Sequence, residues 1–265
     1  MTTPSAWKVL SAGRGPGLVL AVDFATTGRS DSGFSDLAPR LGPEFTVWET
    51  RQPATGDGMS ARDYVERWAR EVEACGRPVR AVLGYCAGSV FAGELAARLG
   101  AGRTEPPGFL MFDPEVPTRA ALDRDFTAML DQFASVLSAD EVATARQAAA
   151  TARTAAPDFA AFGDELVRIF REQAGAAFAR EELDPDLLEE FAAVFRSFVS
   201  YLDAARGIDP AAAWRTATAV NSAEPTEGSR LAARAVDIPV RHADILRSDL
   251  TAGAVTEFLS APALS

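Results

Sequence analysis

The junction Gly84-Tyr85-Cys86-Ala87-Gly88 constrains the fold of this chain more than any other stretch. The apolar run ahead of it, Val79-Arg80-Ala81-Val82-Leu83, reads as a buried strand, and the alanine-rich stretch from about Ala87 to Leu99 reads as a helix. A residue at the tip of so abrupt a strand-to-helix turn takes a strained backbone. Side chains two positions to either side of it would collide, so glycine is needed at both. Gly-x-Cys-x-Gly in this setting is an elbow that presents a nucleophile, with a thiol where a hydroxyl is more usual. The start of the next helix adds a positive dipole end that favours thiolate. Cysteine without such surroundings is mostly a buried, inert residue. Cys75, in Ala74-Cys75-Gly76-Arg77-Pro78, is expected to be of that kind, at a helix end.

Around the elbow, short apolar runs alternate with amphipathic stretches, the pattern of parallel strands joined by crossover helices. Strands are expected at Gly17–Val22, Phe45–Trp48, Val79–Leu83, Phe109–Phe112, Thr218–Asn221 and Val236–Val240. Phe34-Ser35-Asp36-Leu37-Ala38 begins a helix. Ser60, three residues before Asp63, starts another, on which Tyr64, Val65, Trp68 and Val72 recur at helical spacing up to Gly76. From about Arg119 to Arg215 the strand signal vanishes. Helical series replace it: Phe126, Met129, Phe133, Val136; Phe159, Phe162, Leu166, Ile169; Leu187, Phe191, Val194, Phe198, Leu202. Pro157 and Asp184-Pro185 punctuate this block at helix starts, and most of its phenylalanines are expected to pack its helices together. A last helix runs from about Ala252 to Leu259.

Three groups of residues carry a resemblance to a known family. Leu83-Gly84-Tyr85-Cys86-Ala87-Gly88-Ser89 resembles the Gly-Tyr-Ser-Ala-Gly elbow of the thioesterase domains of nonribosomal peptide and polyketide synthases, members of the α/β-hydrolase superfamily. Phe112-Asp113-Pro114-Glu115-Val116-Pro117 resembles the strand-Asp motif that precedes the helical lid there, and Arg241-His242-Ala243-Asp244-Ile245-Leu246 resembles the terminal His-x-x-Met-Leu motif. The resemblance implies an α/β-hydrolase fold: a mostly parallel, doubly wound sheet in a single domain spanning 1–265, with a helical lid inserted at about 118–205. Two features depart from the family: cysteine replaces serine, and Val22-Asp23-Phe24-Ala25-Thr26-Thr27-Gly28 lacks its His/Pro-Gly-Gly loop pattern.

The order nucleophile, acid, histidine then assigns a catalytic triad of Cys86, Asp113 and His242, each expected at the C-terminal edge of a strand. His242 is the only histidine of the chain, so any mechanism using imidazole must use it. Glu224, in Ser222-Ala223-Glu224-Pro225, is the alternative acid; Asp244 is too close to His242 in sequence to serve. The oxyanion hole is expected from the Ala87 amide and a second donor in the Ala25–Thr26 region, with Thr26 preferred.

Composition narrows the partners. A net charge of −11, from 26 basic against 37 acidic residues, argues against general binding to nucleic acid or anionic membranes. Two cysteines and one histidine offer neither a disulfide framework nor a zinc site, so no metal or cofactor is expected. No stretch is long and apolar enough to span a bilayer, and Met1-Thr2-Thr3-Pro4-Ser5 lacks the layout of a signal peptide, which reads as cytoplasmic. The resemblance implies a substrate carried as a thioester on the phosphopantetheine of an acyl or peptidyl carrier protein. Chain release by hydrolysis or cyclisation through an acyl-cysteine is the first expectation, with a small-molecule acyl acceptor. Transfer of acyl or aminoacyl groups between carriers is the second, because exchange between thioesters keeps the acyl group activated. A dienelactone-hydrolase-like enzyme and a non-catalytic module that only holds an acylated carrier remain as lesser alternatives.

Overall fold

Over residues 18–112 strands and helices alternate as the hydrophobic pattern requires, and from Arg119 to Trp214 only helices follow. The computed structural model describes residues 5–24, 31–53 and 58–261. In chain order the elements are β1 (Trp7–Ser11), β2 (Leu18–Val22), α1 (Phe34–Leu37), β3 (Thr46–Thr50), α2 (Ala61–Cys75), β4 (Val79–Tyr85), α3 (Gly88–Gly100) and β5 (Gly108–Phe112). After them come α4 (Arg119–Gln132), α5 (Ala139–Ala155), α6 (Phe159–Arg180), α7 (Pro185–Arg206), α8 (Ala211–Trp214), β6 (Thr218–Asn221), β7 (Arg234–Asp237) and α9 (Asp249–Ser260). These residues divide into two compact units: one takes the chain up to 53, Met59–Val116 and 205–261, and the other takes Pro117–Ala204.

The first unit holds a seven-stranded sheet in the order β1-β3-β2-β4-β5-β6-β7, parallel except where β1 pairs with β3. Side chains of a strand alternate between faces, so Val19 and Ala21, Ala81, Leu83 and Tyr85, and Leu110 and Phe112 share one face, where they pack with Ile245, Leu246, Val255 and Leu259. Toward the other face, Tyr64 and Trp68 of α2 meet Phe91 of α3 with ring centroids 5.4 and 5.7 Å apart. Ser60 caps α2 through a reciprocal pair with Asp63, and Gly76 ends it in the left-handed conformation at φ +67°. Cys75 is accordingly the last residue of that helix.

Several expected boundaries move. β1 carries no sequence signal because only Trp7 of its five residues is buried, as befits an edge strand. β7 is Arg234–Asp237 instead of Val236–Val240, since Pro239 lacks the N–H a ladder needs. The series Phe126 to Val136 spans the end of α4: Phe133 and Val136 lie in the turn beyond Gln132, where Phe133 packs on Phe170 and Phe191 of the second unit at 5.2 and 5.0 Å. Helix α5 carries no apolar series because its buried positions are Ala145, Ala149 and Ala152. Asp158 caps α6 just after Pro157, and α7 opens on Pro185. No helix among the described residues is long and apolar enough to cross a membrane.

Candidate active site

Parallel register brings two sharp turns to the same level of the sheet. Tyr85 of β4 is paired with Phe112 of β5, so the chain leaves both strands side by side, and the Cys86 amide donates to the Phe112 carbonyl at 2.9 Å. Both next residues are left-handed without being glycine, Cys86 at φ +48° and Asp113 at φ +40°. Such conformations persist only where the surroundings over-determine them, and they concentrate at functional sites. The flanking glycines explain how the first is tolerated. A Cβ on Gly84 would lie 2.5 Å from the Ser89 Cα, and one on Gly88 would lie 2.3 Å from the Val22 carbonyl oxygen. The turn therefore closes only where both positions lack a side chain.

Asp113 is fully buried and doubly engaged. The Ser222 amide donates to its Oδ1 at 2.8 Å, and its Oδ2 lies 2.7 Å from His242 Nδ1. Because an ionised carboxylate only accepts, Nδ1 of the neutral imidazole carries the proton and Nε2 is the acceptor. Nε2 is met at 2.9 Å by the Tyr85 hydroxyl, which donates to it, and the two rings stack at 5.1 Å and 17°. His242 does not sit on a strand edge as expected: it opens a 3₁₀ turn, His242–Arg247, beyond β7. Buried Ile245 and Leu246 anchor that turn in the core, while the Ser32 amide donates to Ala243 O at 2.7 Å and the Ser32 hydroxyl accepts from the Leu246 amide at 3.0 Å. Asp244 is engaged by Arg241 at 2.8 Å and Arg247 at 3.5 Å.

The thiol is partly buried, and neither cysteine is in a disulfide. Its Sγ donates to Glu115 Oε2 at 3.8 Å. Of the residues singled out in the sequence, Asp113 and His242 are thus brought into direct contact, and Cys86 stands one residue beyond the tyrosine that touches the same imidazole. Glu224 is exposed and engages Ser222 only through its backbone, so Asp113 is the acid the fold places on the histidine. Ala87 caps the start of α3, and among the described residues no backbone carbonyl accepts from its amide. Ala25 and Thr26, the expected second oxyanion donors, lie outside the described residues. No group of three or more metal-ligating side chains is found among the described residues.

Tyr85 and Glu115 escaped the reading of the sequence as site residues. Strand parity could have found the first, since Tyr85 shares the face of Leu83 and Phe112 that Ile245 and Leu246 cover. Nothing local signals the second: Glu115 reaches the thiol because its amide donates to the Cys86 carbonyl at 3.4 Å across two separate turns.

No protein-family model and no curated protein sequence matches the chain. Among solved structures it is similar to a holo four-domain nonribosomal peptide synthetase bound to AMP and glycine, at 17% identity and a TM-score of 0.63, over 98% of this chain and 20% of that one. The chain therefore spans about a fifth of that synthetase. It is similar over 98% of its length to the whole of the Vlm2 thioesterase domain bound with a dodecadepsipeptide, at 19% identity and a TM-score of 0.58. A hydrolase from Pseudomonas aeruginosa PA01 matches 96% of this chain over 94% of its own, at 18% identity and a TM-score of 0.52. At such identities the likeness is one of fold, and the fold, a mostly parallel α/β sheet with flanking helices, is that of the α/β-hydrolases.

Proposed function

We propose that this protein is a cysteine-dependent thioesterase that takes acyl chains from the phosphopantetheine thioester of a carrier protein and releases them, by hydrolysis or cyclisation, through an acyl-Cys86 intermediate. The observation that carries the reading is the strained, glycine-flanked Cys86, which follows directly on Tyr85, the residue that contacts Nε2 of a histidine whose other nitrogen is held by a buried aspartate. In the reaction, Nε2 of His242 takes the thiol proton as Sγ attacks the thioester carbonyl, and the Ala87 amide receives the developing oxyanion. Collapse breaks the bond to the pantetheine sulfur, which leaves with the proton from Nε2. Water or a hydroxyl of the chain then attacks the acyl-cysteine by the same steps in reverse. Asp113 keeps Nδ1 protonated and stabilises the imidazolium without itself taking a proton.

Likeness of fold to a thioesterase domain and to a synthetase supports a carrier-bound substrate. The helical unit, inserted in the chain between β5 and β6, takes the place of a lid in sequence order, which supports a single hydrolase domain with an insertion. One further reading rests on the sulfur: an acyl-cysteine keeps the energy of a thioester, so passing the chain to a second carrier is close to isoergic.

The test is intact mass analysis after mixing with an acyl-loaded carrier under single-turnover conditions. A covalent acyl adduct is expected on the native chain and not on Cys86→Ala; no adduct on either overturns the proposal. Adding an empty second carrier separates release from shuttling, because only a shuttle loads it.

A further inference from the structure

Where β2 leaves the sheet, its backbone is bonded by side chains of the neighbouring strand. Ala21 is paired with Glu49, so the register sets Val22 beside Thr50, the last residue of β3. The buried Thr50 hydroxyl then engages both backbone groups of Asp23: it accepts from the amide at 3.2 Å and donates to the carbonyl at 2.9 Å. The side-chain amide of Gln52 donates to the same carbonyl at 2.9 Å. In this orientation the Oε1 of Gln52 is buried with no hydrogen-bond partner among the described residues. A buried polar atom left unsatisfied lowers stability, so the stability of the fold does not by itself account for this amide.

On its other side the same stretch of backbone bears on the elbow. Val22 is paired with Gly84 of β4. Gly88, which follows Ala87, is so close that an added Cβ would lie 2.3 Å from the Val22 carbonyl oxygen and 3.2 Å from the Asp23 Cα. The Val22–Asp23 peptide thus lies between the Thr50 and Gln52 side chains and the first residue of α3, all within the first unit. An oxyanion donor acts only from a fixed place, because it must already point to where the charge will develop, and a small displacement is costly in rate.

We infer that Thr50 and Gln52 are positioning residues for acyl transfer: through the Val22–Asp23 peptide they hold the Ala87 amide where the thioester oxygen becomes negative. The inference rests on acylation of Cys86 as proposed above. Neither side chain exchanges a proton or forms a bond with the substrate.

Two reactions at the same sulfur separate this role from a merely structural one. Acylation of Cys86 by the propionyl thioester of N-acetylcysteamine passes through an oxyanion, whereas alkylation by iodoacetamide does not. Both are followed by intact mass. Thr50→Val keeps the shape and removes the hydroxyl; acylation is expected to fall about 10-fold or more, with alkylation within about 2-fold of the native rate. Thr50→Ser, which retains the hydroxyl, should restore acylation to within about 3-fold of native. Gln52→Met removes the donor and the orphaned oxygen together, so its thermal midpoint should equal or exceed the native one while acylation falls about 3-fold or more. Native acylation in Thr50→Val, or an equal loss in both reactions, overturns the inference and leaves the acyl-cysteine intact. So does a Gln52→Met protein that loses stability without losing acylation. Absence of any acyl adduct on the native chain overturns the acyl-cysteine reading, and this inference with it.

Discussion

The hydroxyl of Tyr85 donates to Nε2 of His242 at 2.9 Å, on the nitrogen to which the proposed mechanism gives the thiol proton. The same ring stacks on the imidazole, so the tyrosine both orients the histidine and occupies its basic site. In the proposed mechanism, that hydrogen bond must be exchanged for one with sulfur before acylation begins. A neutral hydrogen bond contributes about 0.5–1.5 kcal/mol. Tyr85→Phe keeps the stacking and removes the hydroxyl, and should raise the rate of Cys86 alkylation by iodoacetamide about 2- to 10-fold. A slower or unchanged rate would mean that the hydroxyl supports the reactive histidine instead of holding it back.

Asp113→Asn should reverse the tautomer of His242. The asparagine amide can still accept from Ser222 through Oδ1, but its NH₂ group would face Nδ1, which then has to become the acceptor and leave Nε2 protonated. Loss of acylation rate on the order of 10³-fold is expected, whereas Glu224→Gln should stay within about 2-fold of the native rate. The reverse ranking in single-turnover kinetics would transfer the acid role to Glu224.

Gly88→Ala forces a methyl group against the Val22 carbonyl, and Gly84→Ala forces one against the Ser89 Cα. Neither obstacle is a flexible side-chain end. Each variant should lose about 1–3 kcal/mol of stability in urea denaturation. Each should also lose acylation of Cys86, because the turn can accommodate the methyl only by opening. Native stability with native acylation in both variants would show that the elbow does not depend on those approaches.

A pH effect is expected in the helical unit. The Arg180 guanidinium, helped by the amide and hydroxyl of Ser138, holds the Glu141 carboxyl down to about 2 from an ordinary 4.5. A carboxyl depressed in the folded state stabilises fully above its unfolded value and loses that contribution as the pH falls from 4.5 toward 2. Glu141→Gln retains the capping geometry but not the charge, so its thermal midpoint should lie slightly below the native one at pH 7, with solvent screening keeping the gap small. Thermal scans at stepwise lower pH should show the gap closing below pH 4.5. A gap independent of pH would remove the ion pair as its cause.

The elbow was legible without coordinates because the demand for two glycines is local: it follows from five consecutive residues and the elements on either side. The buried strands β2, β4 and β5 were legible for a similar reason, each being a short apolar run closed by polar or glycine residues. Local chemistry likewise marked Ser60–Asp63, Pro157 and Asp184-Pro185 as helix starts. Tertiary structure decided what depends on register between distant segments. Pairing Tyr85 with Phe112 sets Cys86 beside Asp113, the Ser222 amide orients that carboxylate, and buried Ile245 and Leu246 carry His242 to it. It also decided that a tyrosine caps the imidazole and a glutamate faces the thiol. Spacing along the chain could not show either, because each contact joins side chains whose approach is set by the packing of the whole sheet.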